Sequence, residues 1–305
     1  MGRREGRPPQ ILIAPAETRP AARPGAGRSR TIVCVDPRHA QRRELLILAI
    51  AVIGLSRLLD DPLIWLVAGL VAAAVAFGSA TVFGNGDLQE APLEGVILPA
   101  VAAAASLGAI RIVPLGVVLV PALAAVWFLV DRVLAFESRL AQRETDPTAD
   151  DRTIALGYSI LMAFLAFTGI AAFVQGGLVE PALAPGAPLT PPLPEQLIIL
   201  IAAGDAIVAA LLGFRVSVLR ERSFRDALWS AATYAAVVAI AAAGVRAVAL
   251  PRLLAPALLA LVFFVWDGVH GAPPAQRHDP RWIWQIALLI VLGVAAVAWN
   301  LALRR

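Results

Sequence analysis

The sequence predicts an all-α, polytopic integral membrane protein: a helical bundle of about nine transmembrane helices. Three observations carry that prediction. Nine stretches are long, apolar and nearly free of charge, and a helix needs about 20 mostly apolar residues to cross roughly 30 Å of hydrocarbon. Hydrophobic residues make up 59% of the 305 residues and charged ones only 16%, whereas soluble domains carry about 25% charged residues. Arginines gather before the first stretch and in alternate loops, as the positive-inside rule requires of a multi-pass chain.

Residues 1–43 are rich in Arg, Pro, Gly and Ala, with two short apolar runs, Ile11–Ala14 and Thr31–Val35. They read as a disordered cytoplasmic arm ahead of a transmembrane domain over 44–302. The arm is too long and too charged to be the leading region of a cleaved signal peptide. The spans fall at about 44–59, 63–83, 93–110, 113–131, 153–175, 196–214, 227–246, 252–268 and 282–301. The first is short, and Asp60 and Asp61 oblige its turn to reach water. If it does not cross, eight spans remain and the N-terminus lies outside. Trp65, Trp127, Trp266, Trp282, Trp284 and Trp299 lie near span ends, where indole rings favour the interface.

Loop 132–152 carries Arg132, Arg139, Arg143 and Arg152, and loop 215–225 carries Arg215, Arg220, Arg222 and Arg225. Arg277 and Arg281 precede the last span. By contrast, 177–195 has no arginine and six prolines. Positive loops stay inside, which places the N-terminus inside a bacterial cytoplasmic membrane and the C-terminus outside. The arginine-free loop 84–92 and the terminal Arg304 and Arg305 fit this orientation less well.

Composition also excludes chemistry. The 26 basic residues are all arginine. Without lysine there is no Schiff base and no Walker phosphate loop. One cysteine, Cys34, allows no intrachain disulfide and no cysteine-based metal site. His39, His270 and His278 lie outside the spans, so haem held by two intramembrane histidines is excluded, and HExxH is absent. No catalytic residue, metal ligand or cofactor is assigned. Partners are expected among membrane lipids and other membrane proteins, not nucleic acid, since a net charge of +4 concentrated in loops suits anionic headgroups.

The bundle is compatible with two parallel four-helix repeats plus one helix. Pro121-Ala-Leu-Ala-Ala-Val-Trp-Phe-Leu-Val130 matches Pro256-Ala-Leu-Leu-Ala-Leu-Val-Phe-Phe-Val265 at six of ten positions. The same offset of 135 takes Arg111 to Arg246, Gly69 to Gly204 and Gly78 to Gly213. Spans two to four then correspond to spans six to eight, a parallel repeat of the kind some transporters use. Alanine-rich composition makes chance identities frequent, so the shared prolines and arginines carry most of the signal.

Asp205 is the most informative intramembrane residue. A charge at a helix centre costs about 2.5–3.5 kcal/mol on insertion scales, so it should face the bundle and find a partner. Depth in a hairpin turning near residue 220 makes Tyr234 and Thr233 the expected hydrogen-bond partners, with no cation nearby. Such a carboxylate either serves a translocation path or clamps two helices. Arg111 and Arg246, at outer span ends, are candidates to contact an anionic group, to pair with Asp60, Asp61 or Glu180, or to snorkel. Asp131, Asp267 and His270, with Arg132, Arg281 and Glu94, form a candidate inner-rim cluster or a solvated rim.

Asp146-Pro-Thr-Ala-Asp150 on an inner loop, followed by Asp151, could hold Mg²⁺ against a diphosphate. Nine spans with a DxxxD loop resemble the membrane prenyltransferases of the UbiA type. That resemblance implies a lipid- or prenyl-modifying enzyme at the cytoplasmic face. The family's second aspartate-rich motif is missing, since 84–92 offers only Asn85, Asp87 and Glu90. The function expected from the residues is therefore non-enzymatic: a subunit of a membrane assembly, or a carrier of a small solute or ion.

Overall fold

The computed structural model describes residues 37–59, 63–84, 91–143, 146–174, 176–178, 193–220, 223–248, 250–251 and 253–303. Most of the arm, Cys34, Asp60, Asp61, the loop 85–90, Glu180 and the prolines of 181–192 lie outside the described residues. Among the described residues there are nine long helices: α1 Pro37–Leu55, α2 Leu63–Phe83, α3 Ile97–Ile110, α4 Leu119–Ala141, α5 Ala149–Ala172, α6 Glu195–Val218, α7 Phe224–Ala247, α8 Leu254–Gly271 and, after the four-residue α9 Pro274–Arg277, α10 Pro280–Leu303. Eight are long and apolar enough to cross a membrane. The chain is an all-α membrane bundle, and no strand occurs among the described residues.

α1 is the exception. Its first turns carry Arg38, Arg42, Arg43 and Glu44, so its apolar length is short. It starts at Pro37, not near residue 44, because proline suits the first helical position and the polar residues that follow still form helix. Leu46, Ala49 and Ile53 are buried, and Arg42 pairs with Asp131 of α4, which ties α1 into the bundle.

The helices pack in two rings of four. α1 packs on α2, α2 on α3, α3 on α4, and α4 back on α1; α5 to α8 repeat that order. α3 joins the rings through an extensive contact with α5 and a lesser one with α6. α10 leans on α8 and exposes Trp284, Leu288, Leu292 and Trp299. This neighbour order is the one a tandem repeat requires. α4 and α8 begin at equivalent positions, Leu119 and Leu254, each with a proline in the first turn, where no backbone donor is needed. Arg111 reaches carbonyls after α1, and Arg246 reaches the Phe167 carbonyl of α5. The glycine pair diverges: Gly78 faces Leu45 of α1 and Gly213 faces Tyr234 of α7.

The junction of the rings depends on two glycines. A Cβ on Gly108 would lie 2.2 Å from the Gly169 Cα, and a Cβ on Gly169 would lie 2.9 Å from the Gly108 Cα. α3 and α5 thus meet backbone to backbone. In lipid no hydrophobic force drives helices together, so close packing of small residues does that work.

Gly108→Leu should force the rings apart and destabilise the fold by at least about 1–3 kcal/mol, whereas Gly157→Leu, with open space around it, should be tolerated. Unfolding in detergent compares them; equal stability would contradict the contact. A reporter active only in the cytoplasm, fused after residue 305, tests the orientation: nine spans with the N-terminus inside leave it silent, and a strong signal would contradict them.

Candidate functional site

Helix direction decides which charges meet. Side chains on a helix lean toward its N-terminus. On α7 this carries Arg246 down toward the middle of α6, and carries Tyr234 away from it. Arg246 Nη2 lies 3.5 Å from Asp205 Oδ2 and donates to the Phe167 carbonyl at 3.2 Å. Asp205 and Arg246 are both buried. Tyr234 Oη instead donates to Asp267 Oδ1 at 2.6 Å. Thr233 donates to the Ser230 carbonyl and accepts from Trp266 Nε1. The expected Asp205–Tyr234 and Asp205–Thr233 bonds are therefore corrected: the partner is a cation on the seventh span. Neither Asp205 oxygen has a hydrogen bond, so the attraction is purely coulombic.

Arg246 is thus not a snorkelling residue with a free guanidinium. Arg111 is also engaged. It donates to the Ser56 and Leu59 carbonyls, while Arg57 donates to the Arg111 and Val113 carbonyls. Two cations cross over to cap each other's helix ends, where unpaired carbonyls carry partial negative charge.

The inner-rim cluster is not one site. Asp131 pairs with Arg42. Asp267 accepts from Arg220 Nη2 at 2.6 Å as well as from Tyr234. Arg220 reaches it by lying across Gly271, where a Cβ would sit 1.9 Å from Nη1. His270 Nε2 meets Ser230 Oγ at 3.0 Å, and its ring stacks on Trp266. Asp267 and His270 are therefore neighbours on α8 with different partners, and Asp131 belongs to the other ring.

The strongest pair escapes hydropathy. Glu137 on α4 and Arg215 on α6 form a fork: Nε to Oε1 at 2.9 Å and Nη2 to Oε2 at 2.5 Å. Both side chains are almost wholly enclosed. Apolar windows end at residues 131 and 214 and leave this pair in loops, yet α4 runs on to Ala141 and α6 to Val218. Phe136 and Leu140, flanking Glu137 at helical spacing and packed in the core, are the signal that the helix continues.

The fork forms one wall of a polar cavity of about 350 Å³, with Pro92, Glu94, Gly95, Arg143, Asp146 and Val218 around it. An apolar cleft of about 580 Å³ runs between α2 and α6 over a floor of α3 and α5. Gly69, Ala72, Ala73 and Ala76 of α2 face Gly204, Ile207, Val208 and Leu211 of α6 across it, the same four positions at the offset of 135. A second apolar cleft of about 490 Å³ separates α10 from α7 and α8.

The DxxxD loop is taken up by the start of α5. Asp151 accepts from Thr148 N and Oγ1 in a capping box and from Arg143 Nη1. Asp146 and Asp150 are exposed. No group of three or more His, Cys, Asp or Glu side chains is placed to hold a metal among the described residues. Compared with protein-family models, curated proteins and solved structures, the chain matches none.

Asp205→Asn leaves Arg246 buried without a counter-ion and should cost about 3–5 kcal/mol. Replacing both residues with leucine should recover most of the loss. Equilibrium unfolding in nanodiscs reads both; a cost below about 1 kcal/mol for Asp205→Asn would show that the pair carries no weight.

Proposed function

We propose that this is a non-catalytic multi-pass membrane protein that takes up a single-chain amphiphile between α2 and α6, as a carrier or as a lipid-holding subunit of a membrane assembly. The observation that carries this reading is the apolar cleft between α2 and α6, whose walls are small residues on one side and branched chains on the other. Small residues leave room for a guest; the branched chains give it contact area. The lining stretch Trp65–Ala76 of α2 rises about 16 Å, roughly half the hydrocarbon thickness. That is about the reach of one lipid chain.

The buried charges support a non-catalytic role. Asp205, Glu137 and Asp267 each face an arginine, and Asp151 is spent on a helix cap. None is left poised as an acid or base over the cleft. Asp205, adjacent in sequence to the cleft residue Gly204, points away into its own pair. The arginine-rich end, which gathers the α4–α5 and α6–α7 turns, is read as cytoplasmic, with the N-terminus on that side of a bacterial cytoplasmic membrane.

Native mass spectrometry of the protein released from nanodiscs tests the reading. Wild type should retain one amphiphile of single-chain mass, and Ala72→Trp, which fills the cleft, should lose it while keeping the same melting temperature. Equal retention by both would overturn the reading.

A further inference from the structure

The apolar cleft and the polar cavity follow one another along α3 and α6. On the α3 side, Glu94 and Gly95 line the cavity and Val96 and Ile97 line the cleft. On α6, Leu211 closes the cleft, and Arg215, one turn further on, stands in the cavity. A molecule with its chain at this end of the cleft has the cavity as the nearest polar space for its head. At about 30 Å³ per water, the cavity displaces on the order of ten waters, room for a compact head group.

The charge of that head follows from which charges are already spent. Arg215 is held bidentately by Glu137. Arg143 is held by Asp151. Their guanidinium charges are neutralised within the protein. Glu94 and Asp146 also face the cavity, and neither has a hydrogen-bond or ion-pair partner among the described residues. The unspent charge of the cavity is negative, although the surrounding face carries Arg132, Arg139, Arg152, Arg220 and Arg225. An anionic head would meet two carboxylates, and the two guanidiniums of the cavity already face carboxylates of the protein. A cationic head would find two carboxylates, Asp146 exposed at the rim and Glu94 half-buried, where charges attract more strongly than in bulk water.

We infer that the cleft and the cavity together are a binding site for a single-chain amphiphile with a cationic head, its chain between α2 and α6 and its ammonium beside Glu94 and Asp146. This rests on the proposed cleft occupancy and adds the chemistry of the head.

Saturable binding of dodecyltrimethylammonium and of dodecyl phosphate to the full chain in phosphatidylcholine nanodiscs, measured above empty nanodiscs, separates the two layers. The same chain carries opposite head charges. Wild type should bind the cation more tightly by about fivefold, as one half-buried and one exposed carboxylate can provide. Glu94→Gln with Asp146→Asn should abolish that preference and keep chain binding. Neither carboxylate holds another residue, so the variant should melt as wild type does. Ala72→Trp should abolish binding of both compounds. Equal binding of the two heads, preference for the phosphate, or a preference that survives the double variant would overturn the head assignment, with the cleft still standing if Ala72→Trp removes binding. No saturable binding by wild type, or binding unchanged by Ala72→Trp, would overturn the cleft itself.

Discussion

A charge inside hydrocarbon must be cancelled within reach of its own side chain. The buried carboxylates Glu137, Asp205 and Asp267 obey that constraint with cross-helix pairs. Glu137 and Arg215 join α4 to α6, and so link the two rings of helices. Asp205 and Arg246 join α6 to α7 within the second ring. Arg220 and Asp267 join the end of α6 to α8, and Arg42 and Asp131 join α1 to α4. Removing one member of a buried pair costs far more than the pair contributes over apolar residues of like shape. The pairs therefore act chiefly to specify which helix lies beside which, a task that uniform Ala, Val and Leu faces perform poorly.

Small residues set the distances that make those pairs possible. Gly108 on Gly169 brings the rings into backbone contact. Gly271 lets Arg220 cross α8 to Asp267, and Gly213 seats the Tyr234 ring against α6. The same taste for small side chains opens the α2 wall of the cleft. Packing and cavity come from one compositional choice: alanine and glycine allow closeness where two helices touch, and leave space where they diverge.

Class and span positions were legible in the sequence because hydropathy over about 20 residues is a strong, local signal. Asp205 was legible as an inward-facing residue, since an isolated acid in a span has few tolerable surroundings. Its partner was not, because depth in a hairpin ignores the lean of side chains toward the helix N-terminus. That lean moves Arg246 toward Asp205 and Tyr234 toward Asp267. The Glu137–Arg215 fork was missed for a different reason: hydropathy ends a span at the first charges, whereas the helix continues wherever the next charge finds a partner. The DxxxD spacing looked like metal chemistry because a capping box and a metal motif both place carboxylates at a loop. Only the Thr148–Asp151 hydrogen bonds distinguish them.

The most direct measurement is a charge-swap cycle across the fork that links the rings. Glu137→Arg and Arg215→Glu are made singly and together, and unfolding is followed in nanodiscs. If cross-helix neutralisation specifies the bundle, each single variant places two like charges in one enclosed site and fails to fold stably, while the double variant regains most of the stability of wild type. A double variant as damaged as the sum of its two parents would show that these charges do not recognise each other, and would contradict the account.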